Sequence, residues 1–179
     1  MSARLPRVLV ADPAWGFRDN LPGPGRGARR HYRCESLDDI KAFRIPVMAP
    51  DSWLFLWRVA AMQREALEVV DAWGFRLVSE IAWVKTRKDG QPHGGGMGHY
   101  VRNSHEVCLI AVRGKASSLR LSKAIPSVIF AQRGRHSEKP EEFYQLVERL
   151  VPGPRVELFA RRRRRGWRCF GDELEGKSA

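Results

Sequence analysis

Apolar residues along the chain fall into short unbroken runs of strand length, separated by stretches with helical spacing. Val8-Leu9-Val10-Ala11 and Trp53-Leu54-Phe55-Leu56-Trp57 are continuous, the pattern of strands covered on both faces. Phe75 to Val84, Val107 to Val112, Ser127 to Ala131 and Arg155 to Ala160 predict further strands, and Trp167-Arg168-Cys169-Phe170 a last short one. Between them, Val59 to Trp73 carries apolar residues at helical spacing through Ala60, Leu67, Val70 and Ala72, with Gly74 as its stop. Glu141 to Leu150 is amphipathic and starts directly after Pro140. Ser36-Leu37-Asp38-Asp39 resembles a capping box, so a short helix begins there and ends before Pro46. Strands alternating with helices predict an α/β layered sheet. In such sheets ligands sit beyond the carboxyl ends of the strands. Asp12, Lys85 and Arg161 each follow a predicted strand, so their loops are expected on one rim.

Two stretches have no apolar period. Residues 16–35 are rich in Gly, Pro and Arg, and residues 85–104 contain Gly94-Gly95-Gly96-Met97-Gly98. Both predict long mobile loops, and loops of such length tend to be functional. The 179 residues suit a single domain, 1–179, with a sizeable core. No apolar run is long enough to span a membrane, and Met1 to Pro6 lacks the apolar stretch of a secretory signal. Cys34, Cys108 and Cys169 are odd in number, widely spaced and in no CxxC pair. That predicts a reduced, cytoplasmic protein with no metal site.

Charge changes the picture more. Thirty-two Lys and Arg against twenty Asp and Glu give a net charge of +12, and a surface this basic attracts polyanions, nucleic acid first. The basic residues are clustered: Arg26, Arg29, Arg30, His31 and Arg33 crowd the first loop, and Arg161 to Arg165 run without a break.

The candidate chemistry lies at the end of the first strand, in Asp12-Pro13-Ala14-Trp15. Pro13 lacks an N–H and fixes its own φ, so an acid, a carbonyl and a flat ring stand at the mouth of the sheet. Two acceptors beside a stacking surface suit the exocyclic amino group of a planar base. On these four residues alone, a capped turn with a buried Trp is the favoured reading.

The chain resembles the N6-adenine methyltransferases related to the catalytic subunit of the messenger-RNA adenosine methyltransferase, the MT-A70 family. Members carry Asp-Pro-Pro-Trp after a strand. The resemblance continues in order through Ile45-Pro46-Val47, Trp53 to Trp57, Ala82-Trp83-Val84-Lys85-Thr86 and Gly98-His99-Tyr100. His105-Glu106-Val107-Cys108-Leu109, His136 to Glu141, Glu157-Leu158-Phe159-Ala160-Arg161 and Gly166-Trp167 with Gly171-Asp172-Glu173-Leu174 complete it.

The resemblance implies a Rossmann-like methyltransferase sheet with helices on both faces. The catalytic motif would lie near the N-terminus and the cofactor motifs in the C-terminal half, a permuted order. It implies S-adenosylmethionine as cofactor and the N6 amino group of adenine in nucleic acid as acceptor; the compact chain favours DNA over RNA. Asp12 and the Pro13 carbonyl would accept from the amine, and Trp15 would stack on the base. Lys139 would pair with the methionine carboxylate, Arg161 would lie against the cofactor, and Asp172 and Glu173 would take the ribose hydroxyls. Arg26, Arg29, Arg30, Arg33, Lys85, Arg87, Lys88 and Arg102 are the expected nucleic-acid contacts.

Two departures from the family pattern stand out. Ala14 replaces the second proline, which frees Pro13 from the restriction a following proline imposes. Only Val8 to Ala11 form a strand before the motif, so part of the pocket for the cofactor's adenine is expected to be missing or supplied differently. The compact chain suits a bacterial or phage enzyme working in the cytoplasm, as a homodimer or beside a related subunit. The alternative is a weak or inactive relative that binds nucleic acid as a partner subunit.

Overall fold

Four aliphatic residues in unbroken sequence make β1 (Val8–Ala11) a fully buried central strand in the computed structural model, which describes residues 4–16, 36–93, 100–134 and 138–174. β2 (Ser52–Arg58) and β6 (Arg155–Leu158) pair with it in parallel, with Ala11 opposite Leu56 on one side and Leu158 on the other. β4 (His105–Arg113) lies antiparallel between β2 and β3 (Arg76–Thr86). β5 (Val128–Gln132) closes one edge against β3, and β7 (Trp167–Phe170) closes the other against β6. The sheet order is β5-β3-β4-β2-β1-β6-β7.

Alternation along the central strands builds a core on each face. Leu9, Leu54, Leu56, Leu109 and Val156 pack under α1 (Leu37–Ala42) and α2 (Gln63–Ala72). Val8, Val10, Phe55, Trp57 and Ile110 pack against α3 (Glu141–Leu150), which contributes Phe143, Tyr144 and Val147. Each such side chain contributes about 1.5–3 kcal/mol on leaving water, so the two cores fix the central strands firmly. Strand ends, not strand centres, are therefore where chemistry can be placed.

Local signals in the sequence reappear in the structure. Ser36 caps α1 by accepting from the Asp39 N–H at 3.1 Å, while Asp39 reaches back to the Ser36 N–H at 3.3 Å. α3 and β7 keep their expected bounds. Two expectations change. The strand expected to reach Ala160 ends at Leu158, because Phe159 takes φ 59° and turns the chain out of the sheet. The loop expected from Lys85 is ordered at its start: β3 runs on to Thr86, and the chain doubles back. There the Arg87 N–H donates to the Gln91 carbonyl at 2.8 Å and the His93 N–H to the Lys85 carbonyl at 2.6 Å. The Arg-rich segment, and with it Arg26, Arg29, Arg30 and Arg33, lies outside the described residues.

Candidate active site

Asp12, Pro13, Ala14 and Trp15 leave the carboxyl end of β1 between the ends of its two parallel neighbours. The Trp15 N–H donates to the Pro13 carbonyl at 2.9 Å, which pulls the motif into a tight turn. That carbonyl keeps its second lone pair. Ala14 is half-buried in the turn. Trp15 is 4% exposed, and its indole N–H donates to the Trp57 carbonyl at 2.9 Å. The ring therefore ties the motif to the end of β2 and packs into the core. The stacking surface expected of Trp15 is corrected accordingly: its faces are taken up by packing inside the protein.

Four ionisable groups alternate in sign across the rim. Lys85 Nζ lies 2.7 Å from Glu106 Oε1, and Lys139 Nζ lies 3.0 Å from Glu106 Oε2 and 2.8 Å from Asp12 Oδ2. The Lys139 side chain is 9% exposed, and its ammonium also sits 5.0 Å from the centroid of the Trp57 ring. Burial pushes Lys139 down, but Asp12 and Glu106 together outweigh it and raise it above its ordinary value. Burial likewise pushes Glu106 up, yet Lys139 and Lys85 hold it at about 2. Lys139 thus makes both its short contacts to protein carboxylates. Lys139, expected to pair with a cofactor carboxylate, is held by Asp12 and Glu106, which compensate its buried ammonium. Lys85, expected to contact nucleic acid, is likewise engaged by Glu106.

A second cluster lies on the other side of Asp12. Glu157 of β6 is 8% exposed and accepts from the Tyr144 hydroxyl at 2.6 Å. Burial raises the Glu157 carboxyl, with the Tyr144 hydrogen bond opposing, and burial with the Glu157 charge raises the Tyr144 phenol. Arg164 covers this pair, its guanidinium 3.6 Å from the Tyr144 ring centroid, while its Nη2 reaches Glu141 at 2.8 Å. Next to Asp12 in register, Phe159 holds its left-handed conformation with its ring 5.1 Å from Phe43. A non-glycine residue at positive φ is uncommon and tends to sit where function needs it.

The turn at Phe159 brings the ends of β6 and β7 together. The Ala160 N–H donates to the Phe170 carbonyl at 2.8 Å, and a Cβ at Gly171 would collide with the Ala160 backbone. Arg161 and the 3-10 turn Asp172–Leu174, which includes Glu173, are thereby set on the same rim as Asp12. The rim unites Asp12, Pro13, Ala14, Lys85, Lys139, Arg161 and Asp172. Elsewhere Arg87 pairs with Asp89 at 3.1 Å, while Lys88 and Arg102 stay exposed.

Two rim carboxylates, Glu106 and Glu157, were not singled out as site residues from sequence. Their signal was present: Glu157 stands inside a strand-length run and Glu106 directly before one, and acids are rarely buried without a task or a partner.

Comparison with known proteins places this rim in a wider setting. The model of the MT-A70 family matches residues 6–173. The N(6)-adenosine-methyltransferase catalytic subunit METTL3 of Homo sapiens is 33% identical over 173 residues, covering 94% of this chain and 28% of its own length. A putative N(6)-adenosine-methyltransferase MT-A70-like protein of Medicago truncatula is 32% identical, covering 94% of this chain and 26% of its own length. The chain spans about a quarter of the length of these curated relatives. The type II methyltransferase M.MunI of Mycoplasma sp is 25% identical over 193 residues, covering 96% of this chain and 80% of its own length.

Proposed function

The chain belongs to the MT-A70 family, and on that premise we propose that it methylates the N6 amino group of adenine in nucleic acid, with DNA as the acceptor. The observation that carries this reading is the recessed Asp12, held 2.8 Å from Lys139 at the carboxyl end of the central strand beside the Pro13 carbonyl. M.MunI, matched over 80% of its own length, supports a DNA acceptor over the N(6)-adenosine-methyltransferases, of which only about a quarter is matched.

MT-A70 methyltransferases depend on S-adenosylmethionine, which when bound supplies a methyl group on a cationic sulfur. The donor set on the rim suits that cofactor. Asp12 and the buried Glu157 are carboxylates for a cationic centre, Asp172 is an acceptor for a ribose diol, and Arg161 is a cation for a carboxylate. Asp12 and the Pro13 carbonyl would accept hydrogen bonds from the adenine amine and fix the direction of its lone pair. In-line positioning of this kind, with acceptors matched to charge developing on nitrogen, supplies much of a transfer barrier. Lys139 holds the Asp12 carboxylate in place. In duplex DNA the base must leave the stack to reach these acceptors.

Methyl transfer from labelled S-adenosylmethionine to adenine-containing DNA and RNA oligonucleotides tests the proposal. Transfer to N6 is expected with DNA, and Asp12→Ala should abolish it. Oligonucleotide binding with no transfer would instead make the chain an inactive partner subunit, the reading that the Ala14 substitution favours.

A further inference from the structure

The run Arg161 to Arg165 divides into two kinds of residue. Arg162 is folded onto the protein, 2.9 Å from Glu138 and 3.2 Å from Glu141, and Arg164 is held by Glu141 and the Tyr144 ring. Arg163 and Arg165, between and after them, are exposed and form no ion pair among the described residues. Arg162 and Arg164 thus fasten the segment while Arg163 and Arg165 are left to solvent.

β7 continues this pattern. Trp167 and Cys169 face the α3 core, so Arg168 and Phe170 lie on the opposite face of the strand, where no described helix covers them. Both are exposed, Phe170 at 45%, and the Arg168 guanidinium lies 5.7 Å from the Phe170 ring centroid. A lone exposed Phe is ordinary; its place is not. Ala11, Leu158 and Phe170 form one cross-strand row. At about 4.8 Å per strand, Phe170 stands about 10 Å from the residue preceding Asp12. That separation is within reach of nucleotides flanking a base held at Asp12.

We propose that the β7 edge is a track for a single-stranded segment of the acceptor nucleic acid flanking the reacting base. Phe170 is its stacking surface, and Arg163, Arg165 and Arg168 hold its phosphates. Exposed cations interleaved with an aromatic ring are what an unpaired strand needs, whereas duplex bases are already stacked on each other. The proposal rests on the reading of the chain as a nucleic-acid methyltransferase.

The test is fluorescence anisotropy of a labelled, adenine-containing single-stranded DNA oligonucleotide with the full chain over a range of salt. The triple variant Arg163→Gln/Arg165→Gln/Arg168→Gln should flatten the log–log salt slope by about 2, near 0.7 for each phosphate no longer neutralised. Phe170→Ala should weaken binding about tenfold at unchanged slope. Both should keep the wild-type affinity for S-adenosylmethionine by calorimetry and the wild-type circular dichroism spectrum. A wild-type slope in the triple variant with wild-type affinity in Phe170→Ala overturns the track and leaves the methyltransferase reading standing. Losses confined to duplex DNA, or matched by loss of cofactor affinity, overturn it as well. Wild-type protein that binds no oligonucleotide removes the acceptor reading itself.

Discussion

Lys139 holds Asp12 and Glu106 on a single ammonium, 2.8 Å from one carboxylate and 3.0 Å from the other. The two acids come from different strand ends, β1 and β4, so this one side chain fixes their separation. It also makes the Asp12 carboxylate part of the folded core's electrostatics.

Replacing Lys139 with Met should therefore cost stability and activity together. Removing one partner of a buried ion pair costs several kcal/mol; with Asp12 and Glu106 partly exposed, about 3 kcal/mol is expected in denaturant unfolding. Lys85→Met, which removes a cation from Glu106 alone, should cost about 1 kcal/mol. The pH dependence carries a sign. Glu106 is held at about 2, below its ordinary 4.5, so its contribution is complete above 4.5 and is lost as pH falls toward 2. Lys139 is raised above 10.5, so its contribution is complete below that value and is lost in stronger alkali. Lys139→Met should shift the onset of acid unfolding to higher pH, measured by circular dichroism. An unchanged acid limb would remove Lys139 from the cause.

Ala14→Pro tests the departure in the motif. The Ala14 N–H makes no backbone hydrogen bond among the described residues, so a proline there removes no backbone bond. It also narrows the choices of Pro13. A gain of about 0.5–1 kcal/mol in stability is expected from the stiffer unfolded chain. Methyl transfer should rise several-fold in kcat with KM for the oligonucleotide unchanged, since the gain is in positioning. A fall in both parameters would mean that the turn needs alanine.

Much of this was legible in the chain. Unbroken apolar runs marked the central strands because parallel strands are buried on both faces, and the Ser36–Asp39 box marked the start of α1 to the residue. Asp12 was found because an acid abruptly ends an apolar run. The fate of Trp15 was not legible, since the same indole suits a base or a core; only the Trp57 carbonyl, 42 positions away, decides between them. The partners of Lys139 were hidden for the same reason: Asp12 and Glu106 are far from it in sequence and meet it only through the sheet. The early end of β6 was hidden too, because Phe159 shows nothing in its residue type that demands φ 59°.

Trp15→Phe separates the two roles of that indole. Phe keeps a flat ring but loses the N–H donated to the Trp57 carbonyl, leaving a buried acceptor unsatisfied. A loss of about 1–2 kcal/mol in denaturant unfolding is expected. A ring serving the base would instead leave stability unchanged and alter oligonucleotide affinity. Affinity measured at a temperature where both proteins are fully folded should be within twofold of wild type.

Gly171→Ala addresses how the Asp172 side of the rim, proposed to hold the cofactor, is built. Gly171 has an ordinary negative-φ or extended backbone, so strain in φ is not the issue. The added methyl would meet the backbone of Ala160, and backbone cannot move aside as a flexible side chain does. The end of β7 must then shift away from β6, breaking the bond from the Ala160 N–H to the Phe170 carbonyl. Overpacking of this kind costs about 1–3 kcal/mol. The larger consequence is local: the turn Asp172–Leu174 moves relative to Asp12, so affinity for S-adenosylmethionine should fall about tenfold or more by calorimetry. The Asp12–Lys139–Glu106 contacts lie on the other side of β1 and should survive. Wild-type cofactor affinity in a folded Gly171→Ala protein would place the cofactor away from the β6–β7 ends.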